Sequence, residues 1–336
     1  MSDSSSPSTT FTYTRKFHGR ELPKLLRLAH LVRAVILSPI FVLEWKALFG
    51  YRKSRMKHAI TLLNDISNST HGRGLEIIDT GIRKVRNALA PKKKTQSDLV
   101  RSPFGELISL QSINLIVKDL NQVGFSVVRN FVDSSTVKEL NAEALNMPGG
   151  SSQPETLYHS QHEWQLDAAS GPRYLVASEQ IEQHKGFQEI ALNNVIQKVA
   201  FQYLGCAPIL ASTQVWTIRP PNSDSSEVLS EAAMAFHCDS DYFGFLKFFL
   251  LLTDVGQDNG PFTFVGASHR GMRHVAGRMP DSEIVSKDDV IYRGTGVAGD
   301  LVIADTKGWH KASPPQIGLR TVLQIVYASS LFGSST

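Results

Sequence analysis

The sequence predicts a mainly β protein with flanking helices (α+β), its strands gathered into a closed or double-sheet core behind a helical N-terminal extension. Two observations carry this. Strand-like runs follow one another closely through the second half of the chain, at Ala211–Ile218, Ala235–Asp239, Phe245–Thr253, Phe262–Val265, Asp300–Ala304 and Thr321–Ser329, with Asn259-Gly260 as a turn signal between two of them. Helical periodicity lies mostly ahead of these runs. A doubly wound parallel sheet needs a helix between successive strands, and the C-terminal third has none.

Residues 1–20 are expected to be a disordered tail. Met1 to Thr10 is polar and rich in Ser and Thr, and no basic stretch leads into an apolar one, so no secretory signal is read there. Residues 21–101 are expected to form a basic helical extension and linker. Leu22, Leu25, Leu26, Ala29, Val32, Val35 and Ile36 recur at helical spacing between Lys24, Arg27 and Arg33, a second segment at Met56–Leu63 behaves alike, and Lys92-Lys93-Lys94 after Pro91 reads as a solvated linker. The longest apolar run, Ala34–Leu43, is interrupted by Ser38 and Pro39. It falls short of the roughly 20 residues that a membrane span requires.

Charge divides the chain near Arg101. The extension carries 19 Lys and Arg against 7 Asp and Glu, while the remainder carries 16 against 24, which accounts for the net +4. Two readings stand open for this basic segment: a helical arm packed on the main domain, or peripheral contact through residues 21–60 with an anionic membrane or an acidic partner. No nucleic-acid reading module accompanies the charge, so nucleic acid is excluded as a partner. With only Cys206 and Cys238 the chain has no disulfide framework, and a reducing, cytoplasmic compartment is expected.

Residues 102–336 are expected to form the catalytic domain. Gly124–Val128 reads as a strand, Asp133 as the N-cap of a helix through Leu145, and Asn193–Leu204 as a buried helix closed by Gly205. The segment Arg270–Val297, with several glycines and mixed charges, reads as a lid between core strands.

The chemistry lies in Phe236-His237-Cys238-Asp239, His310 and Arg320. On a strand, residues two apart share a face, so His237 and Asp239 can point together while Cys238 points away. A third ligand from a neighbouring strand, His310, completes a two-histidine, one-carboxylate set that leaves metal positions open and suits Fe(II). With eleven histidines in the chain, about one His-x-Asp or His-x-Glu pair is expected by chance, so the pair alone says little. The order His-x-Asp, then His, then Arg raises its weight. His310 is followed by Lys311 to Pro315, read as a turn that returns the chain to place Arg320 beside the metal, where a planar guanidinium suits a dicarboxylate.

These residues resemble the phytanoyl-CoA dioxygenase family. The likeness runs through Phe236–Asp241, Leu246–Val255, Asn259–His269, Gly299–Asp305, His310 and Arg320, with Leu120–Val128 and Tyr203-Leu204-Gly205 upstream, and it covers roughly Ser109 to Phe332. It implies a double-stranded β-helix (jelly-roll, cupin-like) core and a dioxygenase that uses Fe(II), 2-oxoglutarate and O2 and releases succinate and CO2. By motif position His237, Asp239 and His310 would be the iron ligands, and Arg320 would hold the distal carboxylate of 2-oxoglutarate. Gln214, Trp216, Lys247 and Ser313 carry over as further co-substrate contacts. Each also has a structural reading: Trp216 as core, Lys247 as a snorkelling side chain and Ser313 as a turn residue.

Asp239 favours hydroxylation, because halogenating relatives lack the carboxylate. Gly266-Ala267-Ser268-His269 departs from the family's Pro-Gly-Ser-His at a turn, and His269 is taken as structural. Asp241 replaces Asp239 only if the strand bends sharply. Val326 stands where nucleic-acid demethylases of this superfamily carry a second arginine. The expected substrate is a small molecule or lipid-like compound. The competing reading, a non-catalytic cupin-like metal and ligand binder, would not need Arg320.

Overall fold

The computed structural model describes residues 24–48, 58–70, 73–89, 99–100, 108–152, 155–221, 233–270 and 278–333. The expected tail over residues 1–20 and the Lys92-Lys93-Lys94 linker lie outside the described residues.

Five helices come first: α1 (Lys24–Leu37), α2 (Ile40–Leu43), α3 (Trp45–Leu48), α4 (His58–Thr70) and α5 (Arg73–Leu89). A short ribbon, β1 (Leu99–Val100) with β2 (Ile108–Ser109), precedes α6 (Leu110–Val123), β3 (Phe125–Val128) and α7 (Ser134–Leu145). Then follow β4 (Gly149–Ser152), β5 (Glu155–Tyr158), α8 (Gln161–Leu166), β6 (Arg173–Val176), α9 (Ser178–Gln183), α10 (Lys185–Ala191) and α11 (Asn194–Leu204). The remaining elements are β7 (Ile209–Ile218), β8 (Phe245–Leu251), β9 (Phe262–Val265), α12 (Asp281–Ile284), β10 (Ile291–Gly294), β11 (Leu301–Ala304), β12 (His310–Ala312) and β13 (Arg320–Ala328).

Eight antiparallel strands form the larger sheet, in the order β3-β11-β8-β13-β7-β6-β4-β5, and three form the smaller one, β10-β9-β12. This is a jelly-roll core with flanking helices. Strand alternation divides the larger sheet into two buried faces. Leu246, Phe248 and Leu250 of β8, with Leu323 and Ile325 of β13, pack with α6 and α11 residues such as Ile113, Leu120, Val195 and Val199. Phe249 and Leu251, with Trp216 and Val322, meet Phe262 and Phe264 of the smaller sheet. The site is built on this second face.

Local chemistry fixes the ends of these elements. The Asp133 carboxylate accepts from Thr136 N at 2.9 Å to cap α7, Asn193 Oδ1 accepts from Val195 N at 2.8 Å to cap α11, and Gly205 closes α11 at φ 66°. Gly260 has φ 70°, and a Cβ there would lie 2.4 Å from the Ser313 carbonyl oxygen. Only glycine fits that turn.

Two expectations are corrected. Ala235–Asp239 is not a strand: Phe236 and His237 make single bridges, to Met279 and His310, before the chain turns away. Within Arg270–Val297, β10 is a core strand paired along its length with β9, and α12 is helical, so the segment is not one continuous lid; residues 271–277 lie outside the described residues. The turn expected at Lys311–Pro315 also begins later, because Lys311 and Ala312 belong to β12.

The N-terminal helices pack onto the chain just past the His-x-Asp motif. Leu62 and Leu63 of α4 and Leu75 and Ile82 of α5 share a buried cluster with Phe243 and Phe332, whose rings stack at 5.6 Å. Ser240 Oγ donates to Asn64 Oδ1, and Ser329 Oγ donates to Asp79. Gly244 fits against Asp79 so closely that a Cβ would lie 2.5 Å from its Oδ2. No helix among the described residues is long and apolar enough to cross a membrane.

Candidate metal centre

His237 and His310 are held opposite each other by a reciprocal pair of backbone bonds, His237 N to His310 O at 2.9 Å and His310 N to His237 O at 3.0 Å. Asp239 N donates to Thr306 O at 2.9 Å. These three bonds bring two chain segments about seventy residues apart into one site without a regular strand at 235–239. One ligand atom from each of His237, Asp239 and His310 lies within 4.8 Å of the others.

The donor atoms are oriented for a cation. His237 Nδ1 lies 2.9 Å from Ala235 O, and His310 Nδ1 lies 2.9 Å from Gly308 O. A carbonyl can only accept, so each Nδ1 carries a proton and each ring turns its Nε2 toward Asp239. His237 Nε2 stands 3.6 Å from Asp239 Oδ1, and His310 Nε2 stands 3.3 Å from Asp239 Oδ2. Burial, reinforced by His310, pushes the His237 imidazole down to about 3, so it is neutral, as a ligand must be. Burial alone would raise the Asp239 carboxyl, but Lys247 and then His310 hold it well below the usual carboxylate range. Two imidazoles and one carboxylate fit a divalent iron and leave the rest of its coordination sphere to other ligands.

Around this triad a cavity of about 240 Å³ is bordered by Gln214, Trp216, Lys247, Phe249, Phe262 and Ala312 among others. Lys247 Nζ donates to Asp239 Oδ2 at 2.8 Å and lies 2.9 Å from Asp241 Oδ2. Gln214 accepts from Gln324 Nε2 at 3.1 Å. Ser313 Oγ is paired with Thr263 Oγ1 at 2.8 Å, and its neighbour Ala312 borders the cavity instead.

Arg320 lies deeper, beneath Trp216, Phe249 and Phe262, which it shares as neighbours with the metal-site cavity. It is 2% exposed, donates one bond to Gly260 O, and leaves Nε without a partner. No carboxylate among the described residues pairs with it. Burial, and then Arg173, push its guanidinium down to about 9, the signature of a cation that lacks its anion.

Arg173 is the site residue that the sequence does not announce. On the sheet it pairs with Ile218 from one side while Arg320 pairs with Ile218 from the other. The two guanidiniums lie 5.1 and 5.0 Å from the centroid of the Trp216 ring. Arg173 Nε is buried without a partner, and burial, then Arg278, lower its pKa. Arg173 and Gln214 also border a second, wider cavity of about 960 Å³ between β4, β5 and β6.

A jelly-roll sheet that presents two imidazoles, one carboxylate and a buried unpaired arginine defines the class of non-haem iron oxygenases that use 2-oxoglutarate. The sequence profile described as Phytanoyl-CoA dioxygenase (PhyH) matches residues 120–316, more than half of the chain, and the chain belongs to that family. Fe(II), 2-oxoglutarate and O2 are accordingly its cofactor and co-substrates, and its activity is of the Fe(II)/2-oxoglutarate oxygenase type.

Similar solved structures include the epimerase SnoN in complex with Fe3+, alpha ketoglutarate and nogalamycin RO, at 18% identity over 65% of this chain and 83% of that one, TM-score 0.45. HygX from Streptomyces hygroscopicus, with nickel and 2-oxoglutarate bound, is 13% identical over 64% and 86%, TM-score 0.44. EvdO2 from Micromonospora carbonacea var. aurantiaca is 14% identical over 70% and 96%, TM-score 0.48. No curated protein sequence matches the chain.

Proposed function

We propose that this protein hydroxylates an unactivated C–H bond of a small-molecule or lipid-like substrate, coupled to conversion of 2-oxoglutarate to succinate and CO2. The observation that carries the reading is the Asp239 carboxylate, which faces Nε2 of both His237 and His310. In a site that retains Asp239, the carboxylate would take the position that a halide fills where it is missing.

His237, Asp239 and His310 would hold the iron, which when bound supplies the redox chemistry that activates O2. Arg320 would take the distal carboxylate of 2-oxoglutarate in a charge-assisted pair, relieving a buried unpaired cation. The Trp216, Phe249 and Phe262 side chains would wall that carboxylate off from water, which strengthens the pair. Lys247 would keep Asp239 ionised and aimed at the imidazoles. The 960 Å³ cavity that meets the metal-site cavity at Arg173 and Gln214 would receive the substrate, consistent with a compound much larger than 2-oxoglutarate.

The test is Fe(II)-dependent release of succinate from 2-oxoglutarate by the wild type, Asp239→Ala and Arg320→Met, followed by incubation with cell lysate and mass spectrometry of the products. A product heavier by one oxygen atom supports hydroxylation. A product of unchanged mass, or lighter by two hydrogens, replaces it with epimerisation or cyclisation. Iron binding without any turnover would favour the metal-binding cupin reading.

A further inference from the structure

Helix α1 packs on α4 through Ala34 and Leu37 together with its polar side, from which His30 and the half-exposed Arg33 reach Asp65. His30 Nδ1 lies 2.7 Å from Asp65 Oδ1, and Arg33 donates from Nε and Nη2 to the two Asp65 oxygens at 2.6 and 2.5 Å. Arg27 Nη2 donates to Ser69 O at 3.3 Å. Asp65, on α4, is wholly buried. The opposite side of α1 is apolar and faces solvent: Leu28, Leu31, Val32, Val35 and Ile36 are 55%, 47%, 51%, 64% and 68% exposed, and Leu43 of α2 adds a further 64%. Their i, i+3, i+4, i+7, i+8 spacing makes one continuous stripe. Turning the helix to bury that stripe would strip Asp65 of its cations and leave a buried carboxylate unpaired, which is strongly destabilising. The apolar exposure is therefore imposed by the fold.

We infer that the outward face of α1 and α2 is a docking surface for an anionic lipid bilayer. Charge complementarity selects this occupant. Residues 1–60 carry eleven Lys and Arg against three Asp and Glu, and the basic residues bracket the stripe in sequence: Arg15, Lys16, Arg20 and Lys24 before it, Lys46, Arg52, Lys53, Arg55 and Lys57 after it. An apolar helix face within a strongly basic segment is the pattern that lies in the headgroup region of negatively charged membranes. A second copy of the chain would bring one strongly basic segment against another. The surface is remote in kind from the metal centre, and the inference stands apart from the proposed reaction.

The test is co-sedimentation of the full chain with vesicles of phosphatidylcholine alone and with added phosphatidylserine, for the wild type and for the combined Val32→Ser, Val35→Ser, Ile36→Ser variant. These three side chains are exposed, so the variant should keep the wild-type melting temperature and succinate release, which checks its folding. The wild type should pellet with the phosphatidylserine vesicles, weaken as salt is raised, and stay in solution with phosphatidylcholine alone; the variant should lose the binding. Absence of wild-type binding to the anionic vesicles, or binding unchanged in the variant, would overturn the proposal. So would a wild-type dimer in sedimentation analysis that the variant converts to a monomer, since the face would then join two copies.

Discussion

Lys247 Nζ lies 2.8 Å from Oδ2 of Asp239, the same oxygen that stands 3.3 Å from His310 Nε2. The ammonium therefore shares one carboxylate with the ligand set. Burial opposes its charge, but Asp239 and then Asp241 outweigh burial and raise its pKa above the ordinary lysine value.

Lys247→Met should be markedly less stable than the wild type in the absence of metal, by about 3 kcal/mol, because the Asp239 carboxylate then lacks its counter-ion in a buried setting, while the more exposed Asp241 is left to water. Mn(II) as a redox-silent stand-in for Fe(II) should recover a larger increment of melting temperature in the variant than in the wild type, since the metal restores the missing positive charge. Thermal melts with EDTA and with Mn(II) measure both. Equal metal increments in the two proteins would mean that Lys247 does not act through Asp239.

The unpaired state of Arg320 leads to a second expectation. Arg320→Met should weaken 2-oxoglutarate binding by about two orders of magnitude, from the ~3 kcal/mol associated with a charge-assisted pair in a buried site. Arg173→Met, at a residue that faces the wider cavity as well, should change 2-oxoglutarate affinity less and the KM for the second substrate more. Titration of the Mn(II)-loaded proteins with 2-oxoglutarate measures the first effect, and Fe(II)-dependent succinate release at varied substrate concentration measures the second.

How much of this was legible in the sequence depends on range. Strand β8 is readable from its run of aromatic and aliphatic residues, and α7 and α11 from caps that act within three residues. His237, Asp239, His310 and Arg320 are found by their order along the chain. The extended segment at 235–239 misleads because only two of its residues find a bridge partner, so its local pattern does not make a ladder. Arg173 is invisible because its role comes from register: only pairing on both sides of Ile218 brings it near Arg320. The inverted packing of α1 is hidden for a related reason. Periodicity identifies an apolar face, but the buried carboxylate of Asp65, on another helix, decides which face turns inward.

His269 gives the pH dependence. It is buried, and burial pushes its pKa down to about 4, with Asp305 opposing the shift. The folded state keeps the imidazole neutral while the unfolded chain protonates it near 6.5. A depressed histidine of this kind is fully compatible with stability above 6.5, and the stability falls as pH drops from 6.5 towards 4, because the unfolded state binds the extra proton. Between pH 7 and pH 5 this group should remove about 1–2 kcal/mol. In His269→Gln the same pH step should lower the urea midpoint by less. An identical pH response in both proteins would assign the acid sensitivity elsewhere.

The packing of α4 and α5 against the chain that follows the metal motif leads to the last prediction. Phe243 and Phe332 are covered by Leu62, Leu63, Leu75 and Ile82, and Asp79 ties α5 to the end of β13 through Ser329 while pairing with Arg83 at 3.0 Å. Deleting the residues before Ser102 would expose two stacked phenylalanines, one of them, Phe243, four residues past Asp239, and leave Ser240 without Asn64. The truncated chain should therefore aggregate or lose near-ultraviolet circular dichroism. Asp79→Ala is the milder probe: it removes the partner of Arg83 and of the buried Ser329 hydroxyl, a loss of about 2 kcal/mol, without removing any apolar surface. A truncated protein that melts cooperatively and still releases succinate would show that the sheet stands alone and that the basic helices serve only the surface.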